Sequence, residues 1–246
     1  MSARYDVVIR NGWIVDGTRF PRYRADIGIR DGVIAKIGTI APADAARVLD
    51  AEGLIVAPGF VDLHTHYDAQ IHWDPYCSNS GENGVTTVIA GNCGFAFAPC
   101  KEADRDRYML MMENTEQVPY QHMKTMLPWT WETFPQWLAH LRALKKGVNM
   151  MMLMPINPLL CYVMGTDAAK SRRPTASEMA EMKRLIHEAM DAGAAGLGVS
   201  LLGNDNSHTD YDGSSMPSDV MHRDDIVELA SVLGERDEGF IQVLAQ

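Results

Sequence analysis

The chain has 246 residues, 46% of them hydrophobic, and a formal net charge of −10. Length and composition suit a globular protein with a substantial core. The acidic balance argues against nucleic acid and anionic membrane surfaces as partners, although a local pocket can still take an anionic small molecule. No apolar run approaches the ~20 residues that cross a bilayer, and the N-terminal Met1-Ser-Ala-Arg-Tyr-Asp6 lacks the apolar core of a secretory signal. The four cysteines (Cys77, Cys93, Cys100 and Cys161) show no paired spacing of a disulfide framework or zinc finger, so reduced thiols in a cytoplasmic protein are expected. Met109, Met111, Met112 and Met150 to Met152 sit in apolar stretches and read as adaptable core filler.

Residues 1–57 read as short strands with tight turns. Asn11-Gly12 lies between Tyr5 to Arg10 and Trp13 to Val15, and Asp31-Gly32 between Ala25 to Arg30 and Val33 to Ile37. Glu52-Gly53 lies between Val48 to Asp50 and Leu54 to Ala57. Such dipeptides between apolar runs predict hairpins, and three β-ribbons in a row predict a small β-sandwich segment. From Pro58 the pattern becomes strand, loop, helix, strand. Strands are predicted at Phe60 to His66, Thr86 to Gly91, Asn149 to Pro155, Ala195 to Ser200 and Phe240 to Leu244. Thr133-x-x-Gln136 and Thr175-x-x-Glu178 read as capping boxes. The helices they open carry stripes of Phe134, Trp137, Leu138 and Leu141, and of Met179, Met182, Ile186 and Ala189, with Gly193 stopping the second. Ile226, Leu229, Ala230 and Leu233 stripe a third helix, with Gly234 expected just past its end. Strands alternating with helices predict a parallel sheet in a (β/α) barrel or a doubly wound fold. A complete barrel takes ~250 residues and eight strands, more than residues 58–246 provide. The expectation is therefore an N-terminal part of a larger fold, aggregation-prone on its own, whose complementary C-terminal half comes from a further segment or a second chain.

The chemistry concentrates in Ala57-Pro-Gly-Phe-Val-Asp-Leu-His-Thr-His-Tyr-Asp68. On a strand, His64 and His66 emerge on one face and can share a metal ion. Asp62 has the same parity and lies one step below them, where a carboxylate can fix a ring tautomer. Cys93 ends the next strand, on the face where parallel (β/α) folds place their sites. Two imidazoles with a thiolate suit zinc; the alternative is that Cys93 is a small buried residue.

The segments Pro58 to Asp68 and Gly84-Val-Thr-Thr-Val-Ile-Ala-Gly-Asn-Cys-Gly94 together resemble the amidohydrolase superfamily, in its D-aminoacylase-like (N-acyl-D-amino-acid deacylase) branch. The resemblance continues through Pro128 to Phe134, Tyr162 to Gly165 and Glu188 to Gly193, nearly the whole chain. It implies His64, His66 and Cys93 as ligands of one or two Zn2+ ions. It also implies a TIM-like (β/α)8 barrel of which residues 58–246 form the N-terminal part, and a β-sandwich to which residues 1–57 contribute. The implied reaction is hydrolysis of a linear amide, N-acyl-D-amino-acid deacylation, with the acid/base aspartate outside this chain. Cyclic amide or imide hydrolysis and a non-catalytic scaffold subunit are the alternatives. Two departures stand out. Phe240 to Gln246 has no histidine where many relatives carry one, and Pro155-Ile-Asn-Pro158 lacks a Gly-His seen in many relatives.

Among the remaining polar residues, Asp68, His72 and His208 are candidates for substrate contact; Asp68 is equally placed to cap the next element. His208 lies in the polar loop after the fourth barrel strand, where substrate contacts gather. His122, His140, His187 and His222 read as solvated, and Trp129 and Trp131 as packing under a long loop. The expected partners are a small-molecule amide and other copies of the chain in an oligomer.

Overall fold

The computed structural model describes residues 4–204 and 206–245. Sequence expectations that touch Met1 to Ala3, Asp205 or Gln246 lie outside the described residues. The chain divides into two units, Met1–Gly59 and Phe60–Gln246.

The first unit contains β1 (Tyr5–Arg10), β2 (Trp13–Ile14), β3 (Tyr23–Arg24), β4 (Asp26–Arg30), β5 (Val33–Gly38), β6 (Ala45–Asp50) and β7 (Ile55–Val56). They form two sheets, ordered β5-β4-β1-β6 and β3-β2-β7. Of the three predicted hairpins only β4–β5 forms. Asp31 and Gly32 both take positive φ (53° and 75°), as a two-residue turn of the primed kind requires. At Asn11-Gly12 only Asn11 does so (φ 61°), and the chain steps from one sheet to the other instead of reversing. The β6–β7 segment makes the same step beside it, β6 parallel to β1 and β7 parallel to β2. Glu52-Gly53 therefore marks a jog in two parallel segments rather than a hairpin.

The second unit is a mixed α/β fold on β8 (Phe60–Asp62), β9 (Val85–Ala90), β10 (Asn149–Pro155), β11 (Gly196–Leu201) and β12 (Phe240–Ala245). Neighbours are parallel in the order β12-β11-β10-β9-β8. Both capping boxes are present: Thr133 with Gln136 opens Phe134–Ala143, and Thr175 with Glu178 opens Ala176–Asp191. Their predicted stripes are buried. In the helix Arg223–Arg236 the buried apolar positions are Leu229, Val232 and Leu233, and Gly234 lies within it rather than past its end. Asp237, at φ 51°, is the residue that closes it. Trp131, Trp137, Phe95, Phe97, Tyr108, Met111, Met112 and Met123 fill the core. Met151 is an exception to the core-filler reading, at 43% exposed.

The strand predicted to reach His66 stops at Asp62. Beyond it Thr65 takes over the attachment to β9, its N–H and hydroxyl both donating to Ile89 O at 3.0 and 2.8 Å. The histidines thus leave the sheet edge on an irregular segment fixed at its midpoint, which frees their rings to turn towards β9.

Candidate metal centre

The end of β9 is shaped by Gly91-Asn92-Cys93-Gly94. Gly91 has φ 84°, and a Cβ there would stand 2.2 Å from Leu153 O, so a side chain is excluded by both conformation and space. Asn92 is fully buried, and its amide donates to Thr65 O (3.1 Å) and Ile89 O (2.8 Å), tying the histidine segment to the cysteine turn. Cys93 takes φ 55° and ψ 12°, a left-handed conformation costly for a side chain with a Cβ. Its N–H donates to Oε1 of Gln242 on β12 at 2.8 Å, which helps hold it there.

These constraints bring three donor atoms together. Cys93 Sγ lies 3.3 Å from His64 Nε2 and 3.8 Å from His66 Nε2, and donor atoms of the three residues all lie within 4.8 Å of one another. Metal–nitrogen bonds of ~2.0 Å and a metal–sulfur bond of ~2.3 Å in tetrahedral array put sulfur and nitrogen ~3.5 Å apart. The two S···N distances bracket that value, so the residues fit a divalent ion. The electrostatics agree. Burial, and then the charges of Glu116, Asp68 and Asp219, push the Cys93 thiol up to about 12. Burial, with the neighbouring His64 and His208, lowers His66 to about 4. A neutral imidazole is ready to ligate, and a cation would stabilise the thiolate.

Asp62 accepts from the backbone N–H of His64 at 3.2 Å, so it orients the main chain and not an imidazole as expected. Asp68 is fully buried and accepts the Gly91 N–H at 2.9 Å, which makes it a brace for the cysteine turn instead of a substrate contact. Burial raises its carboxyl to about 8, against the opposing effect of backbone hydrogen bonds including that from Gly91. His72 is part-buried in an aromatic cluster. It stacks on Trp131 (5.5 Å between centroids) and meets His140 Nε2 through Nδ1 at 3.4 Å, while His140 itself stays partly exposed. His208 comes near the site, its ring 6.0 Å from that of Phe95, which in turn is 6.4 Å from His66. Its loop is pinned at Asp210, which is fully buried and accepts from Arg107 and from Lys170 Nζ (2.6 Å). Asn114 adds bonds to Thr209 O and Asp210 O at 3.0 and 3.1 Å. His122 stacks on Trp73, His222 caps its helix and His187 approaches Glu235.

Two neighbours of the site escaped the sequence reading. Gln242 is the acceptor for Cys93 described above. Glu116 places Oε1 3.5 Å from His66 Nε2. Its one sequence signal is a carboxylate in the last turn of the helix Arg105–Glu116, where the helix dipole disfavours it.

Against known proteins, the profile of the amidohydrolase family matches residues 47–220. An uncharacterized protein of Mycobacterium tuberculosis (strain ATCC 25618 / H37Rv) is 36% identical over 202 residues, 80% of this chain and 33% of its own length. The D-aminoacylase of Alcaligenes xylosoxydans xylosoxydans is 33% identical over 196 residues, 80% of this chain and 38% of its own. The crystal structure of N-acyl-D-glutamate deacylase from Bordetella bronchiseptica, complexed with zinc and a phosphonate inhibitor, superposes with a TM-score of 0.75 at 32% identity. That match covers 96% of this chain and 44% of the other, and the parallel sheet corresponds to part of its TIM-like barrel. The chain spans about a third of the length of the curated relatives it matches. With more than half of its residues inside the family profile, the chain belongs to the amidohydrolase family, in the D-aminoacylase-like branch.

Proposed function

We propose that the protein containing this chain is a metal-dependent hydrolase of non-peptide C–N bonds in linear amides, with N-acyl-D-amino acids as its substrates. The observation that carries this reading is the convergence of His64 Nε2, His66 Nε2 and Cys93 Sγ at the carboxyl ends of β8 and β9. In this reading the three residues hold the ion, and their mixed nitrogen and sulfur donors favour zinc. A divalent cation supplies Lewis acidity, which polarises a scissile carbonyl and acidifies water. The chain's own residues do the rest. Asp68, through the Gly91 N–H, and Gln242, through the Cys93 N–H, fix the thiolate's position. Asn92 keeps the histidine and cysteine segments in register, and His208, on its pinned loop, faces substrate. The acid/base aspartate and further walls of the barrel come from a complementary part of the fold, a reading supported by the share of the relatives' length that this chain spans. By the same reading residues 1–57 contribute to a β-sandwich and residues 58–246 to the barrel.

The test is a substrate panel. The intact protein, assayed against N-acyl-D-amino acids, their L enantiomers and cyclic imides, is expected to release carboxylate from the D series. Turnover of the cyclic compounds alone would overturn the substrate class.

A further inference from the structure

Asp219 is a carboxylate buried where a neutral residue would cost less. It lies in the turn Ser218–Val220 and is 8% exposed. Its Oδ1 accepts the Leu202 N–H at 2.8 Å, and its Oδ2 accepts the Asn206 amide at 3.3 Å. Asn206 donates also to Gly203 O (2.6 Å), and its own Oδ1 accepts the His208 N–H at 2.7 Å. Serving Leu202 and Asn206 together takes a group that accepts on both oxygens, which a carboxylate does and an amide does not. Burial pushes the Asp219 carboxyl up, against those hydrogen bonds and the charge of His208.

The turn that carries Asp219 is itself anchored. The Ser218 N–H donates to Asn157 Oδ1 at 2.9 Å, and the Ser218 and Ser200 hydroxyls meet at 3.0 Å, all three residues being buried. Asp219 is thus tied to β11 and to the residues that follow β10. Further along, the His208 loop is fastened at Asp210 by Arg107 and Lys170. His208 lies between these two anchors in the chain, its ring Nδ1 buried and without a partner among the described residues. With Leu201, Gly203, Met221, Arg223 and Ala245, Asp219 also lines a cavity of about 500 Å3 at the carboxyl ends of β11 and β12. That volume is in the range of small-molecule sites.

We propose that Asp219 is a positioning residue for substrate recognition: through Asn206 it sets the backbone of His208 and so aims the imidazole at substrate. The inference rests on the reading above, in which His208 faces the substrate of an N-acyl-D-amino-acid hydrolase. It gives the loop after β11 a second anchor besides Asp210, and it accounts for a buried carboxylate where an amide would satisfy one contact only.

The experiment is a double-mutant cycle in the intact, metal-loaded protein, on the N-acyl-D-amino acid that the wild type turns over fastest. Asp219→Asn keeps an oxygen for the Leu202 N–H, but its amide nitrogen cannot accept from Asn206. Asn206→Ala cuts the same link from the loop side and carries the test where Asp219→Asn fails to fold. Each is expected to lower kcat/KM about 100-fold, as is His208→Ala. Either one combined with His208→Ala is expected to fall no further than His208→Ala alone, because the link acts only through that ring. Metal content is expected to stay at the wild-type level in every variant, which separates a moved loop from a lost ion. Multiplication of the two losses, to about 10,000-fold, would overturn the positioning role. So would Asp219→Asn and Asn206→Ala within about twofold of wild type. A wild-type rate in His208→Ala would overturn the inference and leave the hydrolase reading standing. Failure of the wild type to turn over any N-acyl-D-amino acid would overturn both together.

Discussion

Cys93 links conformation to chemistry at a single residue. It sits in a left-handed backbone, its thiol pushed up to about 12 by burial and by nearby carboxylates. At neutral pH the metal-free protein therefore holds a thiol, while a metal takes a thiolate. Metal uptake is expected to release one proton from Cys93 and none from His66, which is neutral above about pH 4. Affinity should then rise by about tenfold per pH unit through neutrality from this group alone. Titration calorimetry in buffers of different ionisation enthalpy measures the proton count, and zero release would contradict the ligation. Asp68 gives a second pH dependence, in the metal-free protein. Its folded-state pKa of about 8 lies above the ordinary 3.8, so the protonated carboxyl contributes stability that is complete below the ordinary value. That contribution is lost as pH rises through about 8. Asp68→Asn keeps an oxygen for the Gly91 N–H and removes the ionisation, so its denaturation midpoint should lack the wild-type decline over this range. A parallel decline in the variant would contradict the assignment.

At the scale of elements, the loop bearing His208 depends on a buried cluster. Asp210 is fully buried against Arg107 and Lys170, whose side chains are 13% and 17% exposed. Removing the shared carboxylate leaves two poorly hydrated cations, and Asp210→Ala is expected to cost about 3–5 kcal/mol in denaturant unfolding. A loss below about 1 kcal/mol would place the cluster among surface ion pairs. The sequence made some of these elements plain and hid others. Thr133-x-x-Gln136 and Thr175-x-x-Glu178 were legible because a capping box is satisfied within four residues. Asn11-Gly12 and Glu52-Gly53 were misleading because their geometry is decided by the parallel pairing of β1 with β6 and β2 with β7, far apart in sequence. The convergence of His64, His66 and Cys93 was legible from two motifs, whereas Glu116 and Gln242 acquire meaning only when a helix and a distant strand are folded onto the end of β9. For His72, adjacency to the motif was legible, whereas its contacts with Trp131 and His140 come from residues distant in sequence.

Across the whole molecule, two motifs on neighbouring strands are joined by Thr65, Asn92 and Asp68 into one rigid corner at the carboxyl end of a parallel sheet. That corner gathers the candidate metal donors, and β12 supplies the Gln242 contact that steadies Cys93. The central claim is that His64, His66 and Cys93 bind a metal ion. Metal content of the intact protein by plasma mass spectrometry, wild type beside Cys93→Ser, tests it most directly. The account predicts about one tightly held divalent ion per chain in the wild type and its loss in the variant. Less than about a tenth of an ion per chain in the wild type, or equal content in both proteins, would contradict it.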